Sequence, residues 1–302
     1  MKILIGICTQ NRNNLLKKNL DSLGKIYLPD FIDLKVLIVD NTKKGHSRDL
    51  IRKFKKKKSF KHRITYQVVK RKGIPASRNE LLKLAKKNNP KFMCFIDDDC
   101  IVDKFWLVNN LKIIKETNCD IVTGPQIHLE KSMKKFHFNF YKLLERSPKH
   151  KTKVSWAATN NVMFKFDIIK KLKIKFDKKM NFMGGSDQLF FKKMHQQGYS
   201  IIWNQKSKVY EYIHPERLNF LWFVKRNLRY GLSGVYIDRK IHGYFNGIIF
   251  SFIKFFLYLI LTLIYLPLSI IKNIFFYKSV MYFSRATGRI SGVFGVKNNK
   301  YV

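Results

Sequence analysis

Apolar and polar positions change period along this chain, and the changes divide it. In the first hundred residues, short apolar runs alternate with stretches of helical spacing. Ile3–Cys8, Val36–Val39, Ile64–Val69 and Phe92–Ile96 read as strands. Asn13–Leu23, Ser47–Phe54 and Ala76–Lys87 read as helices, with Pro75 at a helix start and Asn88–Pro90 as a stop. This alternation predicts an α/β fold whose parallel sheet is covered on both faces. From Lys104 to about Tyr236 the pattern is mixed. Ile121–Thr123, Asn161–Phe164 and Ser200–Trp203 read as short strands. Ser186–Gln197 and Glu216–Tyr230 read as helices, the first capped by Gly198. No internal repeat is present.

The tail differs. Gly247–Ile271 is nearly continuous apolar sequence, broken by Ser251, Thr262, Ser269 and one charge, Lys254. About 20 apolar residues cross a bilayer core, so the stretch is long enough to cross once and too short to cross twice. Pro267 is a possible bend. Basic residues flank both sides, so positive-inside reasoning gives no orientation, and a re-entrant or interfacial helix stays open beside a span or a buried core helix. Phe275–Phe283, aromatic and basic, suits a membrane interface. The expected division is residues 1–236 as a catalytic domain and 237–302 as a membrane-associated segment.

Composition changes this picture in two respects. The 60 Lys and Arg against 20 Asp and Glu give a net charge of +40. Such a field attracts polyanions, whether nucleic acid, anionic lipid or diphosphates, although runs such as Lys53–Lys58 and Lys70–Lys72 also suit plain solvated surface. No recognition-helix, zinc-finger or RNA-binding signature accompanies the charge, so no specific nucleic-acid partner is expected. The four cysteines, Cys8, Cys94, Cys100 and Cys119, form no CxxC pair. Cys8 and Cys94 sit in strand-like runs, so a reducing compartment is expected and a disulfide framework is not. Met1–Cys8 gives way at once to polar residues, unlike a signal peptide.

The candidate chemistry lies just after the strands, where open α/β sheets bind ligands: Thr9–Arg12, Asp40–Asn41, Arg71–Gly73 and Asp97–Asp99. Three consecutive carboxylates directly after Phe92–Ile96 are costly to crowd together, and a hard cation would relieve them. Mg²⁺ or Mn²⁺ can take one or two carboxylates and fill its other positions with phosphate oxygens and water. A solvated acidic turn is the rival reading. Asp40 could accept from a base or ribose, or simply form an Asp-Asn turn. Gly73–Asn79 puts a glycine at a turn and Arg78 in a first helical turn, a place that favours phosphate. Asp187, after Gly184-Gly185-Ser186, is either a helix cap or a general base. No GxGxxG or P-loop pattern occurs.

In order along the chain these pieces are Thr9-Gln10-Asn11-Arg12, Val39-Asp40-Asn41, Gly73…Ala76-Ser77-Arg78-Asn79 and Asp97-Asp98-Asp99. Gly124-Pro125, Ala158-Thr159-Asn160-Asn161, Gly184-Gly185-Ser186-Asp187 and Pro215-Glu216-Arg217 follow. Together they resemble the family 2 glycosyltransferases, in particular bacterial enzymes of the succinoglycan glucosyltransferase type. The resemblance covers Ile3 to about Ile237. It implies a GT-A fold, a Rossmann-like nucleotide-binding mixed sheet, with the apolar helical segment following it.

It also implies an inverting transfer from a nucleoside-diphosphate sugar, UDP-linked, to a saccharide or lipid-linked acceptor in envelope or exopolysaccharide synthesis. The cofactor would be Mn²⁺ or Mg²⁺. The location would be the inner or plasma membrane, with the catalytic domain on the cytoplasmic side. Thr9, Arg12, Asp40, Gly73, Arg78, Asn79, Asp97 and Asp98 would line the donor. Asp99 would ligate the metal, with Asp97 and His214 as further candidate ligands. Asn160, Asn161, Gly184 and Gly185 would face the acceptor, and Asp187 would be the base. Two positions depart from the family pattern: Ser186 replaces the usual Glu, and Cys100 stands where an acidic residue often follows the triple Asp. Arg226–Tyr230 lacks the Gln and Trp of processive synthases. The competing readings are a sugar nucleotidyltransferase, which should carry a glycine-rich loop after the first strand, and a non-catalytic basic adaptor at a membrane surface.

Overall fold

The computed structural model describes residues 1–70, 73–129, 141–213 and 215–296. The chain forms two compact units. The first comprises Met1–His128, Arg146–Asn181 and Phe190–Tyr212; the second comprises Leu129–Glu145, Phe182–Leu189 and Ile213–Val302.

The first unit is built on β1 (Lys2–Thr9), β2 (Asp33–Asp40), β3 (Arg63–Val68) and β4 (Phe92–Phe95), joined by α1 (Asn13–Leu23), α2 (Arg48–Lys56) and α3 (Ile74–Asn88). β5 (Cys100–Val102), α4 (Trp106–Thr117), β6 (Ile121–Thr123), β7 (Gln126–Leu129), β8 (Val162–Lys165), α5 (Asp167–Leu172), α6 (Ser186–Gln196), β9 (Ile201–Trp203) and β10 (Val209–Tyr212) follow. The main sheet has the order β3-β2-β1-β4-β8-β6-β9, and a second sheet has the order β5-β10-β7. β1 pairs parallel to β2 and β4, and β2 parallel to β3. β8 runs antiparallel to both β4 and β6, so the sheet is mixed rather than wholly parallel.

Alternate residues of each strand enter different cores. Ile3, Ile5 and Ile7 pack with Leu16, Leu20 and Ile38 on one face. Leu4, Met93 and Phe95 pack with Leu81, Phe164 and Phe190 on the other. Burial on both faces is why these strands read as continuous apolar runs. The covered β1–β4 pair puts the residues after both strands side by side at one sheet end.

The second unit is dominated by α7 (Phe220–His242), α8 (Tyr244–Leu268) and α9 (Asn273–Val293). Pro215–Arg217 is a separate 3-10 turn, so the helix expected from Glu216 starts later, at Phe220. The Asn219 side chain caps it by accepting from the Trp222 N–H at 2.7 Å. It then runs to His242, so residue 236, the expected boundary, lies inside a continuous helix. The apolar stretch forms a helix from Tyr244 to Leu268, with Pro267 in its last turn, where the ring removes the N–H that would reach the Leu263 carbonyl just before the helix ends. It is the one helix among the described residues long and apolar enough to cross a membrane. All four cysteines are free.

Candidate functional site

The acidic triple ends β4 in the middle of the main sheet, beside the end of β1. Its three carboxylates have different surroundings. Asp98 is buried: the Thr9 hydroxyl donates to it at 2.7 Å and the Arg12 guanidinium lies 3.3 Å away. Burial pushes its carboxyl up to about 6, against the pull of Arg12 and Thr9. Asp99 is also buried, 3.1 Å from the same guanidinium. The Asp97 side chain is 44% exposed, and an Arg78 nitrogen stands 3.6 Å from it. Thr9 and Arg12 thus act first as partners of the carboxylates. Arg12 reaches them because Asn11, at φ 54°, turns the chain sharply between β1 and α1.

Two buried amides hold this turn and its neighbour. Asn19, among the apolar residues of α1, donates to the Asp97 carbonyl at 3.2 Å and the Cys100 carbonyl at 2.6 Å. Asn41 accepts from the Gly73 N–H at 2.9 Å. Gly73 has φ 118°, and a Cβ there would lie 2.4 Å from the Asn181 side chain, so only glycine fits. α3 starts at Ile74, and Arg78 in its first turns is buried with its guanidinium over the Phe176 ring. Cys8, beside these groups, is not a ready nucleophile, since desolvation pushes its thiol up to about 12.

Several expected ligand contacts are used within the chain instead. Asp40 is fully buried. Its oxygens accept from the Thr42 N–H and hydroxyl, the Ser47 N–H and the Tyr66 hydroxyl, at 2.7–3.0 Å. Its oxygens thus serve the loop after β2, through Thr42 and Ser47, and tie it to Tyr66 on β3. Asn79 exchanges two hydrogen bonds with the Phe176 backbone and latches that segment to α3. Asn161 has no exposed surface, which corrects its expected place on the acceptor side. It accepts from the Trp106 indole N–H at 2.8 Å and donates to the Pro125 and Ser207 carbonyls. Asn160 is partly exposed and donates to Gln126, which donates to buried Glu211; His128 lies 3.5 Å from the same Glu211 carboxylate. Of this polar chain only Asn160 lies in a sequence motif; Gln126, His128 and Glu211, and likewise Asn19, do not. A polar residue inside the Leu16, Leu20, Leu23 stripe was the available signal for Asn19.

In the second unit, Gly184 and Gly185 have φ 76° and 75° and lead into α6. Ser186 is buried, and partly exposed Asp187 accepts from the Gln188 N–H at 2.8 Å. His214, Arg71 and Lys72 lie outside the described residues.

The glycosyl transferase family 2 model matches residues 4–173, more than half of the chain. The chain belongs to glycosyl transferase family 2. It is 27% identical over 252 residues to the succinoglycan biosynthesis protein ExoM of Rhizobium meliloti (strain 1021), covering 80% of this chain and 77% of that protein. Among solved structures, the mannosyltransferase PcManGT of Pyrobaculum calidifontis, in complex with GDP-Man and Mn²⁺, superposes with a TM-score of 0.64. The identity is 14%, and the match covers 98% of this chain and 88% of that one. S. aureus TarS 1-349 in complex with UDP-GlcNAc gives a TM-score of 0.56 at 16% identity, covering 82% and 72%. A longer TarS structure gives 0.55 at 18% identity, and this chain spans 43% of it. These likenesses establish the GT-A fold.

A family 2 chain with this acidic turn can accept a divalent cation only in a particular way. Among the described residues, no group of three His, Cys, Asp or Glu stands ready to hold a metal unaided. One half-exposed carboxylate, Asp97, next to two buried ones that share Arg12 fits a cation that arrives with diphosphate oxygens and water and takes one or two protein ligands.

Proposed function

We propose that this glycosyltransferase moves a sugar from a UDP-linked donor to a saccharide or lipid-linked acceptor, with inversion, at the cytoplasmic face of a membrane. The observation that carries the reading is the acidic turn at the end of β4, with Arg12 and Arg78 at its two sides. Carboxylates and guanidiniums alternating at a sheet end suit a metal-diphosphate, whose charge needs both kinds of partner.

Asp99 and Asp97 would hold Mn²⁺ or Mg²⁺, and the ion would supply neutralisation of charge on the departing diphosphate. Thr9 and Arg12 hold Asp98 and Asp99 in place, and Arg78 faces the phosphates. Asp40, through Thr42, Ser47 and Tyr66, fixes the loop against which the base rests. Gly73 lets α3 begin close to the donor. Asp187 takes the proton from the acceptor hydroxyl as that oxygen bonds to the anomeric carbon and the bond to the diphosphate oxygen breaks. Gly184 and Gly185 leave room for the acceptor, and partly exposed Asn160 contributes a polar contact to it.

Calorimetry with UDP, GDP, CMP and dTDP, each with and without Mn²⁺, tests the donor half. Metal-dependent binding of UDP is expected. Binding of no nucleotide by folded protein overturns the reading in favour of a membrane-surface adaptor. For the base, Asp187→Asn should lower turnover on the order of 10²- to 10⁴-fold with nucleotide affinity nearly unchanged. Wild-type turnover in that variant would remove Asp187 from the role.

A further inference from the structure

The three helices of the second unit pack in a defined order. α7 and α9 run parallel: Phe220 stacks on Phe276, Asn227 accepts from Arg285, and Gly231 meets Gly288. α8 runs antiparallel to α9, with Tyr265 on Phe275, Tyr258 on Tyr282, and Ser251 accepting from Arg289. Small residues permit the close approach. A Cβ on Gly247, Gly231 or Gly288 would fall within 2.4 Å of backbone atoms of the neighbouring helix.

This packing gives α8 two unlike sides. Gly247, Ser251, Lys254, Tyr258, Thr262 and Tyr265 recur at helical spacing; contacts from this side reach α7 or α9. Lys254 itself is neutralised there, with its ammonium 2.8 Å from both oxygens of Asp238. Ile249, Ile253, Phe256, Ile260 and Leu263 form the opposite stripe, and each is 55–69% exposed. At 1.5 Å per residue that stripe is about 21 Å long.

If α8 crossed a bilayer, the part of α9 paired beside it would enter the hydrocarbon too. Lys278, Arg285 and Arg289 would go with it, and among the described residues only Arg289 of these three has a carboxylate partner. Cations that face an amide or aromatic rings instead of a carboxylate are expensive at that depth. With α8 lying in the surface plane, only the outer stripe meets acyl chains. Between Phe220 and Val296, ten Lys and Arg accompany a single acidic residue, Asp238. That imbalance selects an anionic surface over a neutral one.

We propose that α8 lies in the plane of one leaflet of an anionic bilayer, without crossing it, its outer stripe in the acyl region and the cations of α7 and α9 at headgroup depth. The inference extends the membrane part of the function proposed above and does not depend on its chemistry. Nucleotide binding by the same protein separates failure of one from failure of the other.

Lys240→Cys and Asn273→Cys, on opposite sides of α8 in sequence, are made singly in a Cys8→Ser background. They are labelled with a membrane-impermeant maleimide in sealed membrane vesicles of both orientations. Labelling of both from the same side is expected; labelling from opposite sides overturns the proposal in favour of a span. A fluorophore at Ile249→Cys, Phe256→Cys and Leu263→Cys, read with depth-resolved lipid quenchers, should report one similar depth. A steady deepening toward Leu263 would overturn it in favour of a hairpin dipping into the bilayer. In flotation, Lys272→Gln should weaken partitioning onto phosphatidylglycerol vesicles roughly fivefold and leave it unchanged on phosphatidylcholine. Self-association through the stripe without vesicle binding would overturn the proposal in favour of a second copy.

Discussion

Two regions of this protein bury carboxylates against cations, and they balance in opposite directions. At the end of β4, three carboxylates, Asp97–Asp99, face two guanidiniums, those of Arg12 and Arg78. Among the three helices, one carboxylate, Asp238, faces two cations, Lys254 and Arg289. The first cluster carries surplus negative charge and is half open at Asp97, which suits a cation delivered with an anionic ligand. The second is closed around a carboxylate that is almost wholly buried, and its surplus is positive. The same ion pair is a site in one place and a fastener in the other; stoichiometry and exposure make the difference.

The largest effect should come from breaking the fastener. Asp238→Ala leaves two cations facing each other between helices, and loss of one partner from a buried ion pair costs about 3 kcal/mol or more. The side chain of Lys254 is 30% exposed, which places this case toward the low end. Unfolding of the detergent-solubilised protein measures it. Adding Lys254→Met and Arg289→Met to an Asp238→Leu variant should restore most of the loss, because well-packed apolar groups substitute for buried ions. A loss below about 0.5 kcal/mol for Asp238→Ala would mean the cluster closes nothing.

A smaller and more diagnostic effect is expected at the open cluster. Arg12→Ala removes a cation shared by Asp98 and Asp99. Its side chain is 37% exposed, so a cost of about 1–2 kcal/mol is expected in metal-free buffer. The carboxylates left behind should attract a divalent cation more strongly. Mn²⁺ should then raise the melting temperature of the variant more than that of the wild type. Equal responses would show that the surplus negative charge is not what a metal meets.

The open cluster was legible in the sequence, because an apolar strand ending in three carboxylates leaves little choice about where they stand. α1 and β6 have the bounds that the apolar pattern predicts, Asn13–Leu23 and Ile121–Thr123. β5, β7 and β10 were not legible: Gln126 and His128 interrupt β7, Glu211 interrupts β10, and β5 follows the acidic turn directly, so none stands out as an apolar run the way β6 does. α4 went unread although Trp106, Leu107, Asn110, Ile113 and Ile114 hold a helical period. Motif membership also does not reveal which way an amide faces. Asn79 and Asn161 sit in motif positions, yet both spend their hydrogen bonds on backbone carbonyls, N–H groups and an indole. The closed cluster was hidden because Asp238 and Arg289 are 51 residues apart and meet only through helix packing.

The smallest effect concerns a buried carboxylate that makes no ion pair among the described residues, and it sharpens the contrast from a third side. Burial pushes Asp40 up, but hydrogen bonds from Tyr66, Ser47 and Thr42 outweigh this and hold it below the ordinary carboxylate range. The folded protein therefore binds this proton less tightly than the unfolded chain does. The stabilisation is complete above the unfolded value of about 4 and is lost as pH falls through the folded value. Tyr66→Phe removes one of the four donors, so the folded value should rise toward the unfolded one. Stability near neutral pH should drop by about 1 kcal/mol, and the acid limb of the stability curve should become shallower. A drop at neutral pH with an unaltered acid limb would mean that Tyr66 contributes packing only. Asp40 would then rest on the Thr42 and Ser47 donors, which come from its own loop and fold with it.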